Sequence, residues 1–491
     1  MYDLIIREAE IFDGTGAPSR RGDVAIEGSN IAAVGLAKQS AREIVDGTNL
    51  ALAPGFIDVH THDDFAVVLH PEMSFKTLGG VTTVVVGNCG FGPAPWKPAS
   101  RFAATIDPRQ LPQWEGYRGY MQTLESNPPA VNVATLIGHG TARHAVMGLE
   151  AREPTGAEIA AMKEIVTEGL EAGCVGMSSG LIYDPGRHAR TEELVELASL
   201  MRGTGALYAT HMRDEGVGLL TSVAEAIEIG DRAGVPVQIS HHKASSERAW
   251  GLVTQSLKLI EGAQAKGQNV HADQYPYTAG STSLGAVFRD GAFGGPGRET
   301  DPKNIVIASA QGHGEWEGRS IAELAKAMGC DAPTAATQIL KQAPGATIII
   351  HMMREEDVRT VMRHKSTMIG SDGIPTLDGK PHPRLYGTFA RVIGHYARDE
   401  KLFAMEEAIH RMTGFSAKKF GLADRGVITP GLAADLVLFD PKKIIDAGTF
   451  DDPKKTPIGI KDVYTNGKLT AQGGKATTAR AGHALRRQTK T

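Results

Sequence analysis

The sequence predicts an α/β protein: a (β/α)8, TIM-like barrel with a small β-sandwich built from both chain ends. Three features point there. Eight apolar, strand-like runs alternate with amphipathic helical stretches through the middle of the chain. Strand-like segments of another character crowd both ends. Polar residues with chemistry to offer stand at the downstream ends of the central runs. Repeated β-then-α units favour a parallel sheet, and eight in a row favour a closed barrel over an open one.

The central runs fall at residues 55–60, 82–87, 131–137, 174–178, 206–211, 236–241, 268–273 and 367–372. Residues 347–351 are also strand-like, which leaves the count open by one. Between the runs, 155–171 reads as a helix whose Thr155 and Glu158 match a capping box. Further helices are expected at 192–202, 217–233 and 252–266. A glycine-rich insertion of about 280–346, with a helix near 320–328, breaks the rhythm before the last barrel strand. Long excursions of this kind serve as lids or substrate-binding segments, or simply as peripheral packing.

At the N-terminal end, strands at 4–7, 23–27 and 30–34 are separated by turns at Asp13-Gly14 and Glu27-Gly28-Ser29. A matching set at 426–427, 435–439 and 462–465 ends in an Asn466-Gly467 hairpin turn. Residues 1–54 and 425–480 are therefore expected to form one sandwich around a barrel of 55–424, with two unrelated hairpins as the alternative.

Composition bounds the function. The 491 residues, 41% apolar and 22% charged, supply ample core. Many of the 58 glycines fall at the ends of short apolar runs, where turns need them. The net charge of −4 is spread evenly, with no basic stripe for nucleic acid. Arg486, Arg487 and Lys490 near the C-terminus read as a solvated tail. Three cysteines, Cys89, Cys174 and Cys330, make no disulfide framework. No stretch approaches the ~20 apolar residues of a membrane span, and no leader pattern opens the chain. A cytoplasmic protein acting on a small molecule is expected.

The chemistry concentrates at strand ends. His60 and His62 close the first run, and alternation in extended chain points both to one side. Cys89 follows the second run, His211 ends the fifth, His241 the sixth and Asp372 the eighth. That is the face on which barrel enzymes build their sites. One such histidine would be an ordinary core residue. Four imidazoles, one thiolate and one carboxylate at five strand ends form a ligand set for zinc or a similar borderline metal.

The phrase Ala53-Pro54-Gly55-Phe56-Ile57-Asp58-Val59-His60-Thr61-His62 resembles the opening strand of the amidohydrolase superfamily. Gly87-Asn88-Cys89-Gly90, Thr210-His211-Met212-Arg213, Ser240-His241-His242-Lys243 and Ser371-Asp372-Gly373 are similar to its D-aminoacylase branch. So are Ser178-Ser179-Gly180-Leu181-Ile182-Tyr183 and the Thr429-Pro430-Gly431 turn leading to Ala434-Asp435. The resemblance implies one tightly held zinc on Cys89, His211 and His241, and a weaker second metal position at His60, His62 and Asp372. It implies hydrolysis of N-acyl-D-amino acids, with the D preference resting on resemblance alone. The fourth strand has no lysine, which departs from branches that bridge their metals with a carboxylated lysine.

Asp372 is the expected proton shuttle between water and the departing amine. Arg384 can grip an α-carboxylate through two parallel hydrogen bonds, with Lys243 and Tyr277 completing a clamp and Ser283 a weaker candidate. Arg289, at the start of the insertion, is a candidate for selecting an acidic side chain. His242 is a candidate for supporting the metal ligands, and His351 for approaching the site. Two other readings share the pattern: a different amidohydrolase reaction, on a cyclic amide or aminated ring, and an inactive barrel serving as a scaffold.

Overall fold

The computed structural model describes residues 1–37, 39–102, 111–294 and 299–487. Eight parallel strands form the barrel in sequential order: Phe56–Asp58, Val81–Val86, Asn132–Gly138, Gly176–Gly180, Leu207–His211, Val237–Ile239, Val270–Gln274 and Thr367–Ile369. All but one of their residues are buried, as expected for parallel strands covered on both faces. The ring closes just beyond the strands, where Thr61 bridges Gly373 and the Asp372 N–H donates to the His60 carbonyl at 2.7 Å. The expected barrel is the observed one.

Side chains fill the barrel rather than leaving a pore. Ile57, Val85, Leu136, Val175, Leu207 and Met368 share one interior cluster with Phe420, Leu422 and Leu485, which close its upstream end. Outside, helices pack on a second, larger core. The helix Gly156–Ala172 carries the capping box read from its sequence, with the Glu158 N–H donating to Thr155 Oγ1 and the Thr155 N–H to Glu158 Oε2.

Strands from both termini join into one nine-stranded sheet, through antiparallel pairing of Ala51–Pro54 with Leu436–Phe439. The sheet folds over itself, so that Ile26 and Ile31 share a core with Leu436, Leu438 and Tyr464. Strands Ala41–Asp46 and Lys468–Gln472 were not evident in the sequence, and residues 426–427 form no strand. Asn466 and Gly467 have φ of 47° and 74°, which fits the tight hairpin turn expected of an Asn-Gly pair. Asp435 bolts this sheet to the barrel: it accepts from the Asn466 N–H at 2.7 Å and from Asn132 Nδ2 at 3.0 Å, and pairs with Arg425.

The insertion is a small unit with its own core. Ala279–Ser283, Thr347–His351 and Ile305–Ser309 form a three-stranded antiparallel sheet backed by helices Ile321–Met328 and Ala332–Gln342. Residues 347–351 thus belong to this sheet and not to the barrel. Pairing with an insertion strand, rather than local pattern, decided that.

The chain end also departs from expectation. Ala484–Leu485 pairs in parallel with the third barrel strand, and the Arg487 N–H donates to the Gly173 carbonyl at 2.8 Å. Arg486 pairs with Glu125, while Lys490 lies outside the described residues. Arg486 and Arg487 are therefore docked rather than trailing in solvent, because Leu485 fills the upstream end of the barrel. Leu485→Ala should remove about 2 kcal/mol of stability, read as a lower thermal or urea midpoint. An unchanged midpoint would mean the segment contributes nothing to the barrel.

Candidate metal centre

The site is organised around one turn. Gly87-Asn88-Cys89-Gly90 leaves the second strand so close to its neighbours that a Cβ on Gly87 would lie 2.2 Å from the Leu136 carbonyl oxygen. Cys89 itself has φ of 54°, a conformation L residues adopt at a cost. Asn88 Nδ2 donates to the Val85 carbonyl at 2.9 Å and helps hold the turn. The result presents Cys89 Sγ 3.4 Å from His60 Nε2, 3.5 Å from His241 Nε2 and 3.7 Å from His211 Nδ1. His241 and Asp372 also sit at positive φ, 36° and 50°.

Beside the thiol lies a second group, in which Asp372 Oδ1 is 3.1 Å from His62 Nε2 and 3.5 Å from His60 Nε2. Donor atoms of His60, Cys89 and His241 lie within 4.8 Å of one another, as do those of His60, His62 and Asp372. His211 Nε2 is buried without a hydrogen-bond partner. Imidazole, thiolate and carboxylate donors at this spacing fit zinc. All six expected ligands are thus brought together.

Electrostatics favour the anionic forms of the thiol and the carboxyl. Burial pushes the Cys89 thiol up, but His60 and His241 outweigh it, and with hydrogen bonds from His211 and His241 hold the group well below its ordinary value. Burial also opposes ionisation of Asp372, yet Arg384, His241 and His62 hold its carboxyl well below the usual range. For His62, burial is overcome by Asp372 and Cys89, and its pKa rises to about 9. The anionic thiol and carboxyl thus hold a proton on His62, and a metal ion bound there would take that proton's place.

Buried carboxylates orient the rings from behind. Asp273, in the seventh strand, accepts from the His241 N–H at 2.7 Å and lies 3.2 Å from His60 Nδ1, while Gln238 Nε2 donates to its other oxygen at 2.8 Å. Glu215 Oε1 lies 2.9 Å from His241 Nδ1 and 2.7 Å from Lys243 Nζ. One oxygen therefore touches both a candidate ligand and a candidate substrate-binding cation. Lys76 Nζ, also buried, donates to Asp58 Oδ2 at 2.8 Å and Ser371 Oγ at 2.9 Å, tying the first strand to the eighth beneath His60 and Asp372. Partners of this kind fix ring orientation and ligand basicity.

A cavity of about 1040 Å³ opens over the cluster, lined by His62, His211, His241 and Asp372. Lys243, Ser283 and Arg289 line it as the sequence suggested, and the insertion contributes much of its wall. Arg289 Nη2 donates to the Ile182 carbonyl at 2.9 Å. Arg384 lies beside the cavity lining, with Nη1 2.9 Å from Asp372 Oδ2 and its guanidinium 4.4 Å from the Tyr275 ring centroid. Its buried Nε has no hydrogen-bond partner.

Three expectations need correction. Tyr277 is turned away, because the chain folds back at Pro276 and the Tyr277 N–H donates to the Tyr275 carbonyl; its hydroxyl instead donates to Asp446 at 3.2 Å. Tyr275 lines the cavity in its place. His242 is buried and points to a helix, where Nε2 meets Ser256 Oγ at 2.8 Å; burial lowers its pKa to about 4. His351 is exposed on the insertion sheet, with its ring 4.9 Å from Phe450. Asp273, Glu215 and Tyr275 were missed. Asp273 carried the same strand-end signal as Asp372, whereas Glu215 lies in a loop with no periodic cue.

Comparison with known proteins agrees with this geometry. The model of the Amidohydrolase family matches residues 43–294 and 297–471. The D-aminoacylase of Alcaligenes xylosoxydans xylosoxydans is 40% identical over 489 residues, covering 99% of this chain and 98% of the relative. A solved D-aminoacylase, described by one-metal activation and second-metal attenuation of a binuclear centre, superposes with a TM-score of 0.90 at 39% identity, covering 99% of this chain and 100% of that one. An N-acyl-D-glutamate deacylase from Bordetella bronchiseptica, in complex with zinc and a phosphonate mimic of the tetrahedral intermediate, gives 0.88 at 37% identity over 99% of both chains. With its barrel, its strand-end ligand set and a match spanning most of its length, the chain belongs to the Amidohydrolase family.

Proposed function

We propose that this protein is a zinc-dependent hydrolase that cleaves N-acyl-D-amino acids to a carboxylate and a free D-amino acid. The observation that carries the reading is the buried Cys89 thiol among three imidazole nitrogens, beside a cavity lined by Lys243 and Tyr275. The relatives described above support the substrate class and its D configuration. Cys89, His211 and His241 would hold the tight zinc, and His60, His62 and Asp372 a weaker second metal. Zinc supplies Lewis acidity, polarising an amide carbonyl and bringing water's pKa toward neutrality.

The chain's own groups do the rest. Asp372 is kept ionised, and it accepts a proton from water and delivers it to the amine nitrogen as the C–N bond breaks. Arg384 holds the other carboxylate oxygen and so fixes the direction of the proton-bearing one. Lys243, Tyr275, Ser281 and Ser283 offer donors to the substrate's α-carboxylate, with Arg384 reaching it through Nε. Glu215 fixes the His241 tautomer so that Nε2 faces the thiol, and places the Lys243 ammonium. Arg289, in the cavity lining, would favour an acidic side chain. The insertion roofs the cavity, residues 1–54 with 425–480 form a unit distinct from the barrel of 55–424, and the protein resides in the cytoplasm, in keeping with its unpaired cysteines. No helix among the described residues is long and apolar enough to cross a membrane.

Supplied with zinc, the protein should release amine from N-acetyl-D-amino acids and not from their L-enantiomers, and chelation should abolish turnover. Release from L substrates or neutral cyclic amides alone would overturn the assignment. Asp372→Asn should keep at least one zinc while losing about 100-fold or more in kcat; normal turnover would remove Asp372 from the proton path. For Glu215→Gln, zinc affinity measured by chelator competition should weaken about 10- to 100-fold, and an unchanged affinity would make that contact incidental. Arg384→Ala should raise KM for N-acyl-D-amino acids by about 10-fold or more, a change that steady-state kinetics would reveal.

A further inference from the structure

The cavity exceeds what an N-acetyl amino acid fills. At about 1040 Å³ it stands at the upper end of the ~300–1,000 Å³ typical of small-ligand sites. Its lining is also divided, with further apolar residues such as Val287 and Ile350 on the insertion side. Candidate α-carboxylate donors come from the segments after the sixth and seventh strands, as Lys243, Tyr275 and Ser281. Across the mouth, segments after the first, second and fourth strands contribute Phe65, Phe91 and Leu181, and the helix Trp96–Phe102 contributes Ala99. The strands run around the barrel in sequential order, so these two sets face each other over the metal ligands.

An N-acyl amino acid has matching polarity. Its α-carboxylate and side chain lie on the nitrogen side of the amide, and its acyl chain on the carbonyl side. With the carboxylate on the Lys243 side and the carbonyl at the ligand cluster, the acyl chain runs toward Phe65, Phe91 and Leu181. That wall is firm. Phe65 stacks on Trp114 at 6.0 Å between centroids and meets Trp96 edge-on at 6.3 Å. The Phe91 ring is 4.9 Å from Tyr183, which is 5.0 Å from the His211 ring, so the wall begins at the metal ligands. An acetyl group would leave this surface wet.

We propose that Phe65, Phe91, Ala99 and Leu181 form an acyl-binding subsite, and that the preferred substrates carry aliphatic or arylacetyl groups longer than acetyl. This rests on the deacylase reading above. The test is kcat/KM of the zinc-loaded enzyme on acetyl, butyryl, hexanoyl and phenylacetyl derivatives of one D-amino acid. Each buried methylene should raise kcat/KM about 3- to 4-fold, so that hexanoyl exceeds acetyl by more than about 10-fold. Phe91→Ala and Leu181→Ala should each shrink the hexanoyl-to-acetyl ratio several-fold. A flat or falling series on an enzyme that does hydrolyse the acetyl substrate overturns the subsite while sparing the deacylase reading. No release from any member overturns the deacylase reading itself. A rising series that neither variant alters overturns the assignment to this wall.

Discussion

A buried thiol surrounded by imidazole nitrogens is the constraint on which the rest of this structure turns. Cys89 Sγ is buried and lies within 3.4–3.7 Å of His60, His211 and His241. A thiolate there is costly alone, and so are charged imidazoles. Together they offset one another, and a divalent cation that displaces the imidazole protons would satisfy thiolate and rings alike. The arrangement requires the backbone at Cys89, His241 and Asp372 to take positive φ, and the surrounding hydrogen bonds, such as Asp273 to the His241 N–H, hold it there.

Barrel closure supplies the other half. His60 and His62 leave the first strand and Asp372 leaves the eighth, so the second ligand group exists only because these strands meet. The contact is reinforced from below by Lys76, whose buried ammonium bridges Asp58 and Ser371. Ligand geometry and barrel integrity therefore share the same interactions. Removing one member leaves a buried charge unpaired, which costs far more than losing a surface contact.

Much of this was legible in the chain. The eight barrel strands showed as short apolar runs because strands buried on both faces need no polar alternation. The ligands showed because imidazole, thiol and carboxylate groups at apolar strand ends have no ordinary packing role. Tyr277 misled because nothing local separates it from Tyr275: the tight turn at Pro276, beyond the seventh strand, sends one to the cavity and the other away. Glu215 was silent for a related reason: a loop residue has no period, and its partner His241 is reached only through space. The C-terminal arginines looked like a tail because nothing local records that Leu485 plugs the barrel.

The sequence by itself determined the fold class, the number of barrel strands to within one, and the identity of the six metal-ligand candidates, since each follows from residue type and local period. Tertiary structure decided which residues support those ligands, which tyrosine faces the cavity, to which sheet residues 347–351 belong, and how the cavity wall divides. These depend on contacts between segments far apart in the chain. Such contacts are fixed by packing and barrel closure, and no local pattern of residues encodes them.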